Sequence, residues 1–238
     1  MHLPVNAVLF DLDHTLAERD RAVLTWAAWF AQERLGLVHR QAIDEAVGGL
    51  IALDAEGRTP KDVMFSTLRV RYPVLTEEVS ILVAAFRQEL LEHLPPLDAG
   101  AACLIDSLDR TGIPWGIVTN GSVSQLRKVE KLDLVDRAAC IVVSDVIGVR
   151  KPDPAIFHAA AASLGVVPPR ALFVGDHPEA DVIGAAQAGM QTAWLRRGRE
   201  WPAHLAAAAP NLSVDSLGEL VWIAADQRES NPQSQSRS

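Results

Sequence analysis

Four short apolar runs in this chain each stop abruptly on polar residues, and that repetition limits the folds open to it. NAVLF runs into Asp11, PWGIV into Thr119 and Asn120, CIVV into Ser144 and Asp145, and ALFV into Gly175 and Asp176. A fifth run, QTAWL, ends at Arg196. Each is short, rich in branched or aromatic residues and bounded by turn formers, as strands buried on both faces are. Helical stretches alternate with them. Residues 99–111 carry Leu104 and Leu108 four apart and stop at Gly112. Residues 122–132 follow a glycine, 154–164 end at Gly165, and 182–188 end at Gly189. The alternation predicts an α/β fold with a doubly wound, Rossmann-like parallel sheet. Ligands of such sheets bind beyond the carboxyl ends of the strands, where the polar residues collect here.

The interval 17–94 breaks the alternation. Ile43, Ala46, Val47, Leu50 and Ile51 fall on one helical face; so do Val23, Trp26, Ala27 and Phe30, and then Val79, Leu82, Val83, Phe86 and Leu90. Thr59-Pro60 reads as a cap followed by proline at the first helical position. The expected organisation is therefore an α/β core from 1–16 and 95–226, with an inserted helical cap at 17–94. The polar stretch 227–238 lacks apolar anchors and is expected to be disordered. Trp26 and Trp29 fit helix-face packing more economically than a dimer face.

A formal charge of −8 argues against a nucleic-acid partner, which needs a basic patch, but leaves an anionic small molecule open because local cations override the global field. Nothing resembles a signal peptide or a membrane span. The two cysteines, Cys103 and Cys140, form no metal or redox spacing; in their apolar surroundings they read as buried free thiols of a reducing compartment. The chain is thus expected to be soluble and cytoplasmic, a monomer or homodimer, with neither membrane nor nucleic acid as partner.

The chemistry-bearing residues sit at the strand ends. In extended backbone Asp11 and Asp13 share a face about 7 Å apart, with Leu12 turned to the core. Alone, such a pair reads equally well as two solvated loop aspartates. Thr119 and Asn120 precede a glycine and a helix start, a place that suits an anion but also a plain turn capped by Ser122. Lys151 lies beside prolines in RKPDP, and Asp181 follows Asp176 within about a turn. Together the oxygen donors of Asp11, Asp13 and Asp176 suit a hard cation such as Mg²⁺. Carboxylates with one lysine and one hydroxyl favour phosphoryl chemistry over acyl transfer. No GxSxG, HExxH or P-loop pattern is present. His14 and His177 adjoin this group and read as solvated or as lying at a substrate's edge.

In order, DLDHT, VTNG, RKPDP and GDHPEAD resemble the four motifs of the haloacid dehalogenase-like hydrolase superfamily, in its phosphatase branch with an inserted α-helical cap. The resemblance runs to about Trp222. It implies that Asp11 is the nucleophile, forming an aspartyl-phosphate, and that Asp13 is the general acid and base. It further implies that Thr119, Asn120 and Lys151 bind the phosphoryl group. Mg²⁺ would be held by Asp11, the Asp13 backbone carbonyl and Asp176, with Asp181 in support. The implied substrate is a small phosphorylated metabolite of nucleotide, flavin-precursor, sugar-phosphate or phosphoglycolate type. Arg19, Arg21 and Arg58 in the cap are candidates to meet its leaving group. An acid two residues after the nucleophile separates this chain from the 2-haloacid dehalogenases, since halide leaves without a proton; that activity and a non-catalytic family member are the alternatives. The fourth motif departs from the family pattern at His177 and Ala180, which is expected to alter the contacts around the site.

Overall fold

The computed structural model describes residues 5–223, so the expected disordered stretch 227–238 lies outside the described residues. The chain forms two compact units, one from the segments up to Ala17 and from Pro96 onward, the other Glu18–Pro95.

The first unit is built on six parallel strands: β1 (Ala7–Phe10), β2 (Trp115–Thr119), β3 (Cys140–Val143), β4 (Ala171–Gly175), β5 (Gln191–Leu195) and β6 (Leu212–Val214). Their order is β3-β2-β1-β4-β5-β6. The direction of winding reverses beside β1, and the crevice at such a reversal is where doubly wound sheets hold ligands. β1, β2 and β4 are buried along their whole length, which is why they read as continuous apolar runs. β6 has no counterpart among the expected strands. Three residues are too few for a periodic signal, and pairing with β5 makes them a strand.

In the second unit α1 (Arg19–Glu33), α2 (Arg40–Asp54), α3 (Lys61–Arg71) and α4 (Val79–Glu92) follow one another. Trp26 is fully buried, with Phe30 and Phe86 at ring-centroid distances of 4.8 and 4.7 Å and Phe65 at 6.4 Å. Its indole N–H donates to Glu89 at 2.9 Å, so Trp26 is core rather than a docking surface. Two helical details differ from the sequence reading. α3 starts at Lys61, with Pro60 outside it and no side-chain cap from Thr59. On α2 Ile51 is exposed; the buried stripe is Ala46, Leu50 and Asp54, the last of them a carboxylate.

The remaining helices belong to the sheet unit: α5 (Ala99–Thr111), α6 (Gln125–Lys131), α7 (Ser144–Ile147), α8 (Pro154–Ser163) and α9 (Gly184–Gln187). α5 is capped by Asp98, whose carboxylate accepts from the Ala101 N–H, and ends on the left-handed Gly112. α6 begins three residues later than expected, because residues 122–124 form a turn in which the Ser122 and Ser124 hydroxyls bond each other. In place of one helix over 182–188, a π-helical turn Pro178–Ile183 leads into α9. Such turns concentrate at functional sites. The Cys103 reading is also corrected. Cys103 lies on the solvent side of α5 and is exposed, whereas Cys140 is half-buried and burial pushes its thiol up to about 11. Among the described residues no helix is long and apolar enough to cross a membrane.

Candidate active site

The register of β1 against β4 sets Phe10 opposite Val174, so Asp11 leaves the sheet level with Gly175, one residue before Asp176. The Asp11 N–H still donates to the Val174 carbonyl at 2.9 Å, which holds the aspartate at the strand tip. The chain then turns sharply. The Leu12 carbonyl accepts from the N–H groups of Leu16 and Ala17, and Leu12 is fully buried, as its place between two aspartates suggests.

Lys151 lies between α7 and α8 and is almost wholly buried. Its ammonium donates to Asp11 at 2.6 Å and to Asp181 at 2.7 Å, and sits 5.3 Å from the centre of the Phe173 ring. The other Asp181 oxygen accepts from the His177 N–H at 2.9 Å. Gly175 makes room for this: a β-carbon there would fall 2.4 Å from an Asp181 oxygen. Asp176 is held by Arg199, which donates to its carboxylate at 3.0 Å and to its carbonyl at 2.8 Å. Carboxylate oxygens of Asp11, Asp176 and Asp181 all lie within 4.8 Å of one another.

Burial and neighbouring carboxylates raise the cost of ionising Asp11 and Asp176. Burial pushes the Asp11 carboxyl up to about 7, and Asp181 and Asp176 add to that against the opposing charge of Lys151. Asp176 is raised as well, by burial and then Asp181, with His14 and Arg199 opposing. Burial alone would lower Lys151; the charges of Asp11 and Asp181 outweigh it and hold the amine above its ordinary range, so it is a cation. The cluster sets three carboxylates against the ammonium of Lys151 and the guanidinium of Arg199. An all-oxygen donor set of that kind fits a hard divalent cation. Asp181, expected in support, lies within this cluster with its two oxygens on Lys151 and the His177 N–H, and the Asp13 carboxylate is not one of the three.

The other expected residues divide. The Asn120 side-chain amide donates to the Lys151 carbonyl at 2.9 Å and its oxygen accepts from the Lys151 N–H at 2.8 Å. Asn120 therefore clamps the backbone that carries Lys151, because a two-ended amide matches one residue's carbonyl and N–H. The Thr119 hydroxyl is buried and accepts from Gln125 at 2.8 Å. The Asp13 carboxylate is met from α6, by Lys128 at 2.6 Å to both oxygens and by Gln125 at 2.9 Å. His177 caps the π-helical turn, its ring nitrogen accepting from the Ala180 N–H. Gln125, Lys128 and Arg199 escaped the sequence reading. Gln125 and Lys128 are spaced i, i+3 on the helix after VTNG, and that spacing is the one trace the sequence carries of them; Arg199 left none.

In the helical unit Arg19 does not stand ready for a ligand. It forms a two-pronged pair with buried Asp54, at 2.7 and 2.9 Å, and Lys61 joins the same carboxylate at 2.7 Å. Arg21 pairs with Glu18 and Arg58 with Glu56, both on exposed surface.

The family of haloacid dehalogenase-like hydrolases matches residues 5–189, and the chain belongs to that family. Over 202 residues it is 38% identical to a glyceraldehyde 3-phosphate phosphatase of Methanopyrus kandleri, covering 82% of this chain and 85% of the relative. Over 229 residues it is 30% identical to an N-acetylmuramic acid 6-phosphate phosphatase of Pseudomonas aeruginosa, covering 92% and 94%. Its fold is similar to the crystal structure of a phosphatase of the same superfamily from Thermococcus onnurineus, with a TM-score of 0.63 at 25% identity over 91% of this chain and 96% of that one. These relatives are phosphatases.

Proposed function

We propose that this chain is a Mg²⁺-dependent phosphomonoester hydrolase that works through an aspartyl-phosphate on Asp11. The observation that carries this is the buried arrangement of Asp11 and Asp181 about Lys151, with Asp176 alongside. Asp11 and Asp176, with the Asp13 carbonyl, would hold the metal. Bound there, it would neutralise charge on the phosphoryl oxygens. Like-charge repulsion between a carboxylate and a phosphate oxygen is roughly 4 kcal/mol at 4 Å and an effective dielectric near 20, so local cations are needed for attack.

An Asp11 oxygen attacks phosphorus as the ester P–O bond breaks, and Asp13 gives the departing alkoxide its proton. Asp13 then takes a proton from water, whose oxygen attacks the same phosphorus; the bond to Asp11 breaks and inorganic phosphate leaves. Lys151 keeps a positive charge on Asp11 and the phosphoryl oxygens, and Asp181 holds Lys151 in line. Thr119 offers its hydroxyl to the phosphoryl group. Asn120 contributes by bracing Lys151, with its backbone available to the anion. The named substrates of the relatives support a small phosphorylated metabolite, with phosphorylated sugars and sugar acids ahead of nucleotides.

The test is phosphate release from an aryl phosphate and a panel of metabolite monoesters, by wild type and Asp11→Asn, with Mg²⁺ and with EDTA. Release that needs both Asp11 and the metal is expected. Chloride release from 2-haloacids without metal, and no phosphate release, would instead establish a dehalogenase.

A further inference from the structure

The acid and base assigned to Asp13 needs a fixed orientation, and α6 supplies two side chains that converge on its carboxylate. Lys128 places its ammonium 2.6 Å from each Asp13 oxygen. Gln125 is buried, and its amide nitrogen reaches Asp13 at 2.9 Å and the Thr119 hydroxyl at 2.8 Å. The pair lies at i, i+3, hence on one face of the helix. Ordering a lysine side chain costs rotamer entropy that an exposed ion pair barely returns. Here the lysine and aspartate side chains are only 14% and 24% exposed, and a second donor shares the carboxylate.

We propose that Gln125 and Lys128 are positioning residues for Asp13, a role that rests on the acid–base function assigned to it above. Lys128 holds the carboxylate by both oxygens, and Gln125, bonding one of them, sets its rotation. Gln125 ties one of those oxygens to Thr119, so the proton donor and a phosphoryl-binding hydroxyl keep one spacing. Neither residue exchanges a proton or a bond with the substrate.

Leaving-group dependence separates this role from a merely structural one. An alkyl phosphate needs a proton on its departing oxygen, whereas 2,4-dinitrophenyl phosphate releases a stable phenolate without one. Lys128→Met, Gln125→Leu, Lys128→Arg and Asp13→Asn are compared with wild type, with Mg²⁺ present and folding checked by circular dichroism. Lys128→Met and Gln125→Leu should each lower kcat on the alkyl ester about 10- to 100-fold, with KM changed less than about 3-fold. Single-turnover phenolate release should stay within about 3-fold of wild type. Lys128→Arg should recover most of the alkyl-ester rate, since it keeps two donors for the carboxylate. Equal losses on both esters, a rise in KM alone, or wild-type rates in both variants would overturn the proposal. If Asp13→Asn shows the leaving-group split and the α6 variants do not, this inference alone fails. If wild type hydrolyses neither ester, or Asp13→Asn shows no split, the functional reading fails and takes this inference with it.

Discussion

The two units each bury a cluster of acids and bases, and the charge balance of the two is opposite. In the sheet unit three carboxylates, Asp11, Asp176 and Asp181, crowd together around Lys151, with Arg199 at the edge, and Asp11 and Asp176 are pushed up. In the helical unit one carboxylate, Asp54, faces Arg19 and Lys61 and also accepts from the Gly57 N–H. Burial alone would raise Asp54; hydrogen bonds and charge from Arg19, then Lys61, outweigh it and hold the carboxyl at about 2. A cluster with surplus negative charge is poised to take up a cation. A carboxylate that is over-satisfied by cations needs nothing further and contributes to stability. On the function proposed above, charge balance rather than burial or residue type would distinguish the catalytic cluster from the ion pairs of the helical unit.

Removing one carboxylate from each cluster should therefore have different consequences. Asp11→Asn should lower turnover at least about 10³-fold, roughly 4 kcal/mol in barrier, while metal-free stability in urea falls by less than in Asp54→Asn, because Lys151 keeps Asp181 and the crowding of carboxylates is relieved. A large loss of stability in that variant would break the comparison. Asp54→Asn should cost about 3 kcal/mol in urea unfolding, since it leaves Arg19 and Lys61 facing a neutral amide. Saturating Mg²⁺, about 100 times its Kd, should stabilise wild type by about 2.7 kcal/mol, or a Tm rise of about 5–10 °C by calorimetry. That rise should vanish in Asp176→Asn; if it persists, the metal binds elsewhere. The smallest effect concerns pH. The folded value for Asp54 lies below the ordinary 3.8, so its stabilisation is complete above about pH 4 and is lost as pH falls towards 2. About 2 kcal/mol should disappear across that window in acid titrations of wild type, and the corresponding step should be missing from Asp54→Asn.

Periodic and local features are legible in the residues themselves. α5 occupies Ala99–Thr111 as its leucine spacing and Gly112 require, and the five apolar runs form β1 to β5. Asp11, Asp176 and Lys151 stand out in the chain because each terminates a run or breaks a helix pattern. Exposure is not legible: Cys103, among apolar neighbours in the chain, faces solvent on the outer side of α5. Nor is the buried acid Asp54, which extends an apolar stripe one turn past Leu50.

By itself the sequence determined the chain order of β1 to β5 and which carboxylates stand at strand ends, because those depend on residues within a few positions of one another. Tertiary structure alone decided what each one touches. Lys151 meets Asp11 across 140 positions, and Lys128 meets Asp13 across 115. The Asn120 side chain clamps the Lys151 backbone, 31 residues away. Such pairings follow from sheet register and strand order, which convert distant positions into neighbours only once the core has closed around β1 and β4.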